Sequence, residues 1–600
     1  MTLRRLPAAF GLAFCLATSP ASAFDALNFS TPGMDEDLRS EIENASALTL
    51  AKNEDRTSGP DVLAAALSDY GILTETLYAN GYYGGTVSIL LDGREASEIQ
   101  LLSTPQSVGQ VTVRVQTGPK FKFGEASVTP LAPNTELPEE FARTSTARAS
   151  VVGDAADAAI DGWRQVGHAK AEVGYQNVTA DHARARLDVE MRIAPGRELR
   201  FGRMILVNDS AVRTAAQRRI AGFPAGERFD PAEVDEVVRR LVDTGTFSSV
   251  TATEADTANP DGTLDLLVKT ADARPRRIGF GAEVSSLEGL ALTTYWLHRN
   301  FLGGAERFRI DGAVSDISGN TGQIDASVTA RLEVPAAIAE LGPDTDAFFQ
   351  AALATENEPT YSSDSIDLTT GLTRRFNEDL TGELGIGLNY SVTDDDLGNR
   401  EFILLTLPTS LTWDKRDNDL DPRGGWYAST EFMPFINVEG EGSGARFYTD
   451  LRGYYGIGEE DRTVLAARLQ MGSVMGPSLT DTQPEFLFYS GGAGSVRGQP
   501  YQSLTVDLGG GDETGGLSFV GLSGEVRQDI GESWGLVAFA DAGFIGSTAT
   551  PGQDGDWHSG AGLGVRYQTG IGPVRFDIAT PTSGDTGEGF QIYIGIGQAF

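Results

Sequence analysis

The sequence predicts α+β repeats in its first half and an all-β transmembrane barrel of 16 antiparallel strands in its second. Three observations carry this reading. Helix-to-strand units punctuated by glycine recur before residue 274, helical periodicity vanishes after it, and the strands that follow carry one apolar and one charged face.

The chain opens on Arg4 and Arg5, an apolar run from Leu6 to Ala17, and the small triplet Ala21-Ser22-Ala23. Positive charge, a short apolar core and small residues in that order make residues 1–23 an export signal, cut before Phe24. The run is too short to span a bilayer. Cys15 is the single cysteine, and the bulky Phe14 before it does not suit a lipoprotein signal. The mature chain is therefore expected to hold no disulfide, thiolate nucleophile or thiolate metal ligand. With 47 Lys and Arg against 84 Asp and Glu, a net charge of −37, a nucleic-acid-binding surface is excluded. No apolar run long enough for a membrane helix follows the leader. A barrel strand needs only about ten residues of alternating polarity, so the membrane itself is not excluded.

Residues 24–273 repeat. LYANGYYGGTV, WRQVGHAKAEV and LVDTGTFSSV align on Gly81, Gly167 and Gly245, each preceded four positions earlier by a large apolar residue: Leu77, Trp163, Leu241. Helical sequence leads into each glycine and strand-like sequence leaves it. FDPAEVDEVVRRLVDTG is the clearest case, with Asp230 as N-cap, Pro231 at the first helical position and Gly245 past the end. Asp35 to Leu50 can also be helical. Gly118 and Gly196 stand five residues before Phe123-Gly124 and Phe201-Gly202. These recurrences set three units, 24–119, 120–196 and 197–273, each with helices on a small sheet.

Residues 274–600 allot roughly 20 residues to each of 16 tilted strands with its connection. In SFVGLSGEVRQDI, Val520, Leu522, Val526 and Ile530 share one face, while Glu525 and Arg527 share the other. Trp534, Leu536, Ala538, Ala540 and Ala542 oppose Asp541; Leu563, Val565 and Tyr567 oppose Arg566; Val574, Phe576 and Ile578 oppose Arg575 and Asp577. Phe590, Ile592, Ile594, Ile596 and Phe600 run in phase along the last strand. A soluble sandwich alternates likewise. Charge recurring on the same face of successive strands, with aromatics near strand ends, favours lipid outside and a polar lumen.

One glycine-rich stretch, FYSGGAGSVRGQPYQS, surrounds a lone arginine, Arg497. The exported repeats resemble POTRA domains. The VRG of this stretch (Val496, Arg497, Gly498) resembles the signature of the outer-membrane protein assembly superfamily, as do FADAG (Phe539 to Gly543), DPRGG (Asp421 to Gly425) and the terminal Phe600. Three repeats with a barrel of this length are most similar to the TamA-like members, outer-membrane subunits of the translocation and assembly module. That resemblance covers nearly the whole mature chain. It implies a sixth extracellular loop folded into the barrel, its Arg497 meeting Glu525 and Asp541 from strands 12 and 13, with Phe539 packing on the loop. A guanidinium withdrawn from water needs carboxylates around its fork, which agrees. The family often has an aromatic after VRG, where this chain has Gln499, with Tyr501 two positions on.

The same resemblance implies a role in inserting or secreting autotransporters and other outer-membrane proteins, at the outer membrane of a Gram-negative bacterium with the repeats in the periplasm. The implied partners are a TamB-like inner-membrane-anchored protein, unfolded client proteins and outer-membrane lipid. Gly279 and Gly281 in the candidate first strand, with Gly595 and Gly597 in the last, either weaken a lateral seam or merely relieve crowding on the wall. Phe600 fits a carboxy-terminal insertion signal, although Gln598 stands where an apolar residue is common. A passive porin-like channel and a two-partner secretion transporter are the alternatives. His168, His182, His298 and His558 show no metal spacing, and GEGSGA from Gly440 follows no strand–helix unit. Asp417, Asp419 and Asp421 have calcium-loop spacing, but Pro422 stands where that loop needs glycine. No catalytic constellation, metal site or cofactor motif emerges, so an enzyme is not expected.

Overall fold

The computed structural model describes residues 26–100, 104–285, 289–317, 323–440, 442–570, 572–584 and 589–600. The expected export signal, with Cys15, lies outside them. Two compact units result, one holding the first two α/β repeats, the other most of the third together with the barrel.

In the first repeat, strands Ala26–Ser30, Gln110–Gln116, Thr86–Leu91 and Arg94–Glu95 lie side by side in that order. Helices Glu36–Ala45, Ala47–Asn53 and Gly59–Ala79 accompany them. Ile42, Leu63, Leu73 and Leu77 pack with Ile89, Val111 and Val113, the apolar stripe of the helices meeting alternate strand positions. The second repeat sets helix Ala149–Gln165 with strands Lys122–Thr129, Arg186–Ala194 and Glu172–Asp181.

The repeated glycines have a local cause. Gly81, Gly167 and Gly245 have φ of +84°, +96° and +64°, a region that glycine enters without a Cβ clash. After Gly81 the N–H of Tyr82 donates back to Leu77 O, and after Gly167 that of His168 donates to Trp163 O. At Gly81 and Gly167 this Schellman closure spans the spacing between the glycine and the apolar residue before it.

The third repeat joins strands Arg200–Leu206, Thr263–Asp272 and Phe247–Glu254 with helices Thr214–Ala221 and Pro231–Asp243. Its core of Ile220, Val237, Leu241 and Leu266 also takes in Ala305 and Ala336 from the barrel's strand connections. Arg240 Nε meets Asp344 Oδ1 at 3.0 Å, and Arg213 Nη2 meets Glu306 Oε1 at 3.1 Å, on the same connections.

The barrel is closed and antiparallel, and among the described residues its wall has 16 staves. The eighth is split into Gly398–Thr406 and Thr409–Asp414, which lie between the same two neighbours. Pro408 stands at the break; it has no N–H to give a ladder. Tyr361–Arg375 and Leu380–Asp395, of 15 and 16 residues, exceed the length that crosses a bilayer at a tilt. Apolar side chains such as Val526, Leu536, Leu563 and Ile578 face outward and are exposed, while Val537, Phe539, Asp541, Arg566 and Asp577 are buried inside. Aromatic pairs mark both ends of the wall. Trp413–Trp426 and Trp534–Tyr567 sit at the end where the third repeat enters, with ring centroids 4.7 and 4.9 Å apart, and Phe544–Trp557 at the far end, 5.3 Å apart. Such girdles are what two water–lipid boundaries select.

Candidate functional site

The connection between the eleventh strand, Thr463–Met475, and the twelfth, Ser518–Ile530, folds back into the lumen. Aromatic residues anchor its first part. The Phe488 ring stacks between Tyr448 and Phe519, with centroids 6.3 and 6.0 Å away, in a cluster with Phe402, Leu404 and Phe486. Beyond this anchor the chain turns sharply at Gly498, φ +96°, and a Cβ there would stand 2.7 Å from Thr580 O of the fifteenth strand, Val574–Ser583. From the other side, a Cβ on Gly560 of the fourteenth strand, Gly555–Tyr567, would come within 2.1 Å of Arg497 O. Loop and wall approach backbone to backbone, which side chains would forbid.

Arg497 is 3% exposed at the centre of this contact. Its Nη1 meets Glu525 Oε1 at 2.6 Å, its Nε meets Asp541 Oδ2 at 2.7 Å, and its Nη2 donates to Asp541 Oδ1 at 3.0 Å. Its backbone N–H also donates to Asp541. The guanidinium lies 3.6 Å from the Phe539 ring centroid, a cation–π contact strengthened by the burial of both groups. Glu525 belongs to the twelfth strand; Phe539 and Asp541 belong to the thirteenth, Trp534–Gly546. Val496 is fully buried, and the Gly498 N–H donates to the Tyr593 hydroxyl at 3.1 Å.

The network extends past the residues the sequence singled out. Asp577 is 3.8 Å from Arg497 Nη1 and 2.5 Å from Arg566 Nη1, and Glu525 Oε2 also accepts from Arg527 Nε at 2.8 Å. Three guanidinium groups and three carboxylates are thus buried together. Their balance is the physical condition for burying them: removing one partner strands a charge where the medium is least able to solvate it. Alternation had put Arg527, Arg566 and Asp577 on the inner face, but not in contact with one another. Gln499 is buried because its side-chain amide donates to Ser559 O at 2.7 Å and Ser583 O at 2.9 Å; the wall offers carbonyls here, which an aromatic could not use. Tyr501 donates to Glu358 at 3.1 Å.

The seam residues are not brought together. Among the described residues, the first strand, Arg276–Ser285, pairs with the sixteenth, Gln591–Ile596, through Val284 with Ile594 and Ser285 with Tyr593. Its other side pairs with the second strand over its whole length. Gly279 and Gly281 face Tyr295 and Thr293, whose side chains occupy the space a Cβ would need. Gly595 lies within the last strand, opposite Arg575. Gly597, at φ +91°, turns the chain away from the wall, and Phe600 is buried. The Asp417–Asp421 stretch forms the connection between the eighth strand and the ninth, Gly425–Asn437.

A closed transmembrane barrel entered through α/β repeats, with a loop clamped in its lumen by arginine, defines the class. A model of the Omp85 superfamily domain matches residues 300–600; the chain belongs to the Omp85 superfamily. Its fold is similar to BamA from Haemophilus ducreyi lacking POTRA domains 1–3, with TM-score 0.63 at 16% identity over 79% of this chain and 100% of that one. It is also similar to CdiB from Acinetobacter baumannii, with TM-score 0.51 at 13% identity over 80% of this chain and 90% of that one. The α/β repeats are accordingly POTRA-like.

Proposed function

We propose that the chain is a TamA-like outer-membrane assembly factor that helps autotransporters and other outer-membrane proteins insert or cross through the seam between its first and sixteenth strands. The observation that carries this is the seam's free edge: among the described residues the first strand meets the sixteenth at Val284 and Ser285 and has no partner on that side over 276–283, where ten pairs join the first strand to the second. Residues 276–283 therefore present a strand edge to which an incoming strand can add, satisfying backbone groups that lipid cannot. The POTRA-like repeats, with boundaries at 24–119, 120–196 and 197–273, would lie in the periplasm of a Gram-negative cell and receive clients and a TamB-like partner anchored in the inner membrane. The buried contact of Val496, Arg497 and Gly498 with Glu525, Phe539 and Asp541 acts as a lock that keeps the loop in the lumen and the wall around it rigid while the seam yields.

The test is a disulfide between Val284→Cys and Ile594→Cys, which stand opposite each other. Oxidation should stop assembly of an autotransporter client in reconstituted membranes, and reduction should restore it. Undiminished assembly with the seam locked would instead favour passage through the lumen, as in a porin-like channel or a two-partner secretion transporter.

A further inference from the structure

The segment that follows the sixteenth strand leaves the wall and is held by a partner on the far side of the lumen. Its turn is made at Gly597, whose N–H donates to Pro573 O at 2.7 Å. The receiving element is the connection between the eighth and ninth strands, residues 415–424, which reaches across the periplasmic end. The Gln598 N–H donates to Leu420 O at 3.0 Å. Its side-chain amide donates to Asp421 Oδ1 at 2.8 Å, and its side-chain oxygen accepts from Arg566 Nε at 2.8 Å. Phe600 is buried beside Tyr454, and the Arg527 guanidinium, 5.6 Å from its ring centroid, donates to Phe600 O at 3.0 Å. Arg423 fastens the same connection to Asp529 at 2.6 Å.

The seam register shows what this arrangement withholds. Val284 opposite Ile594 and Ser285 opposite Tyr593 are antiparallel neighbours. Continued in step, the ladder would set Gly597 opposite Gly281, Gln598 opposite Phe280 and Phe600 opposite Ile278. Those first-strand residues pair with nothing on this side among the described residues, and Ile278 and Phe280 are exposed. Phe600 and Ile278 would then share the lipid-facing side, because alternate residues of a strand share a face. The segment thus has two possible partners, and it can satisfy only one at a time.

We propose that residues 415–424 form a latch that binds the 597–600 segment inside the lumen in competition with the first strand, so that the latch sets how many residues of the seam are paired. This rests on the reading of the seam as the working edge and names what keeps it short. Leu420 and Asp421 grip the segment, while Arg527 and Arg566 connect its retention to the charges that hold the Arg497 loop.

Hydrogen–deuterium exchange of the full chain in lipid nanodiscs tests the latch. Replacing Asp421→Ala together with Gln598→Ala should free the segment to pair, slowing exchange of amides 276–283 by about tenfold. Unchanged exchange there, whether or not 597–600 loosens, overturns the proposal. Should the double variant fail to form a barrel, Arg423→Gln, which only loosens the connection from Asp529, should slow the same amides by about threefold; no slowing again overturns it. Client assembly is measured separately. Slower exchange with unaltered assembly leaves the latch standing and removes the seam reading, whereas unaltered exchange removes the latch whatever the assembly rate.

Discussion

At the residue scale, Arg497 matters because its fork is used on every side. Arg497→Ala would leave Glu525 short of one donor and Asp541 short of all its guanidinium partners, in a buried site. Breaking a buried pair in this way costs about 3–5 kcal/mol, to be read from chemical unfolding in detergent. Arg497→Lys should recover only part, since a single ammonium nitrogen cannot reproduce the planar fork that grips both oxygens of Asp541 while reaching Glu525. A lysine variant as stable as the parent would contradict the geometry. In the first repeat, burial pushes Glu95 up, but the hydroxyls of Tyr70 and Ser88, the Ile89 N–H and the nearby Arg114 outweigh it and hold the carboxylate below its ordinary value. The stability from these bonds is therefore present above the ordinary glutamate range and is lost as pH falls through the depressed value. Carbon-13 titration should find the Glu95 midpoint low, and Tyr70→Phe should raise it; an ordinary midpoint with Tyr70 in place would count against these contacts.

At the element scale, the loop docks by close approach of main chains, so its sensitivity lies at glycine. Gly498→Ala puts a Cβ against Thr580 and forces an alanine to a left-handed φ. The loop should lift, and trypsin should then cleave after Arg497 in otherwise intact barrels; continued resistance would show that the contact is looser than described. Element type was legible here because its causes are local. Glycine-capped helices and period-two alternation announce themselves within about ten residues. Where expectation and structure part, a nonlocal cause is at work. Pro408 splits a stave that both neighbours still hold together, and Gln499, where the family often has an aromatic, is seated by two wall carbonyls that accept from its amide.

At the scale of the whole molecule, the prediction concerns solvent. Leu563 is 69% exposed on the outer wall. If that wall faces hydrocarbon, Leu563→Arg should destabilise the barrel in bilayers by about 2–4 kcal/mol. A wall in water would register a change within about 0.5 kcal/mol. Denaturant titration in liposomes distinguishes the two.

Alone, the amino-acid order determined the division into repeats and barrel and which face of each strand is polar. These follow from chain neighbours and from the fixed periods of helix and strand. Only the tertiary structure decided that Asp577 and Arg566 complete the buried charge balance, that residues 276–283 have no partner across the seam among the described residues, and that residues 415–424 hold the segment beyond Gly597. Those contacts join positions far apart in sequence. Which of them meet depends on how 16 staves close into one wall, and that closure is a property of the assembled barrel that no single strand encodes.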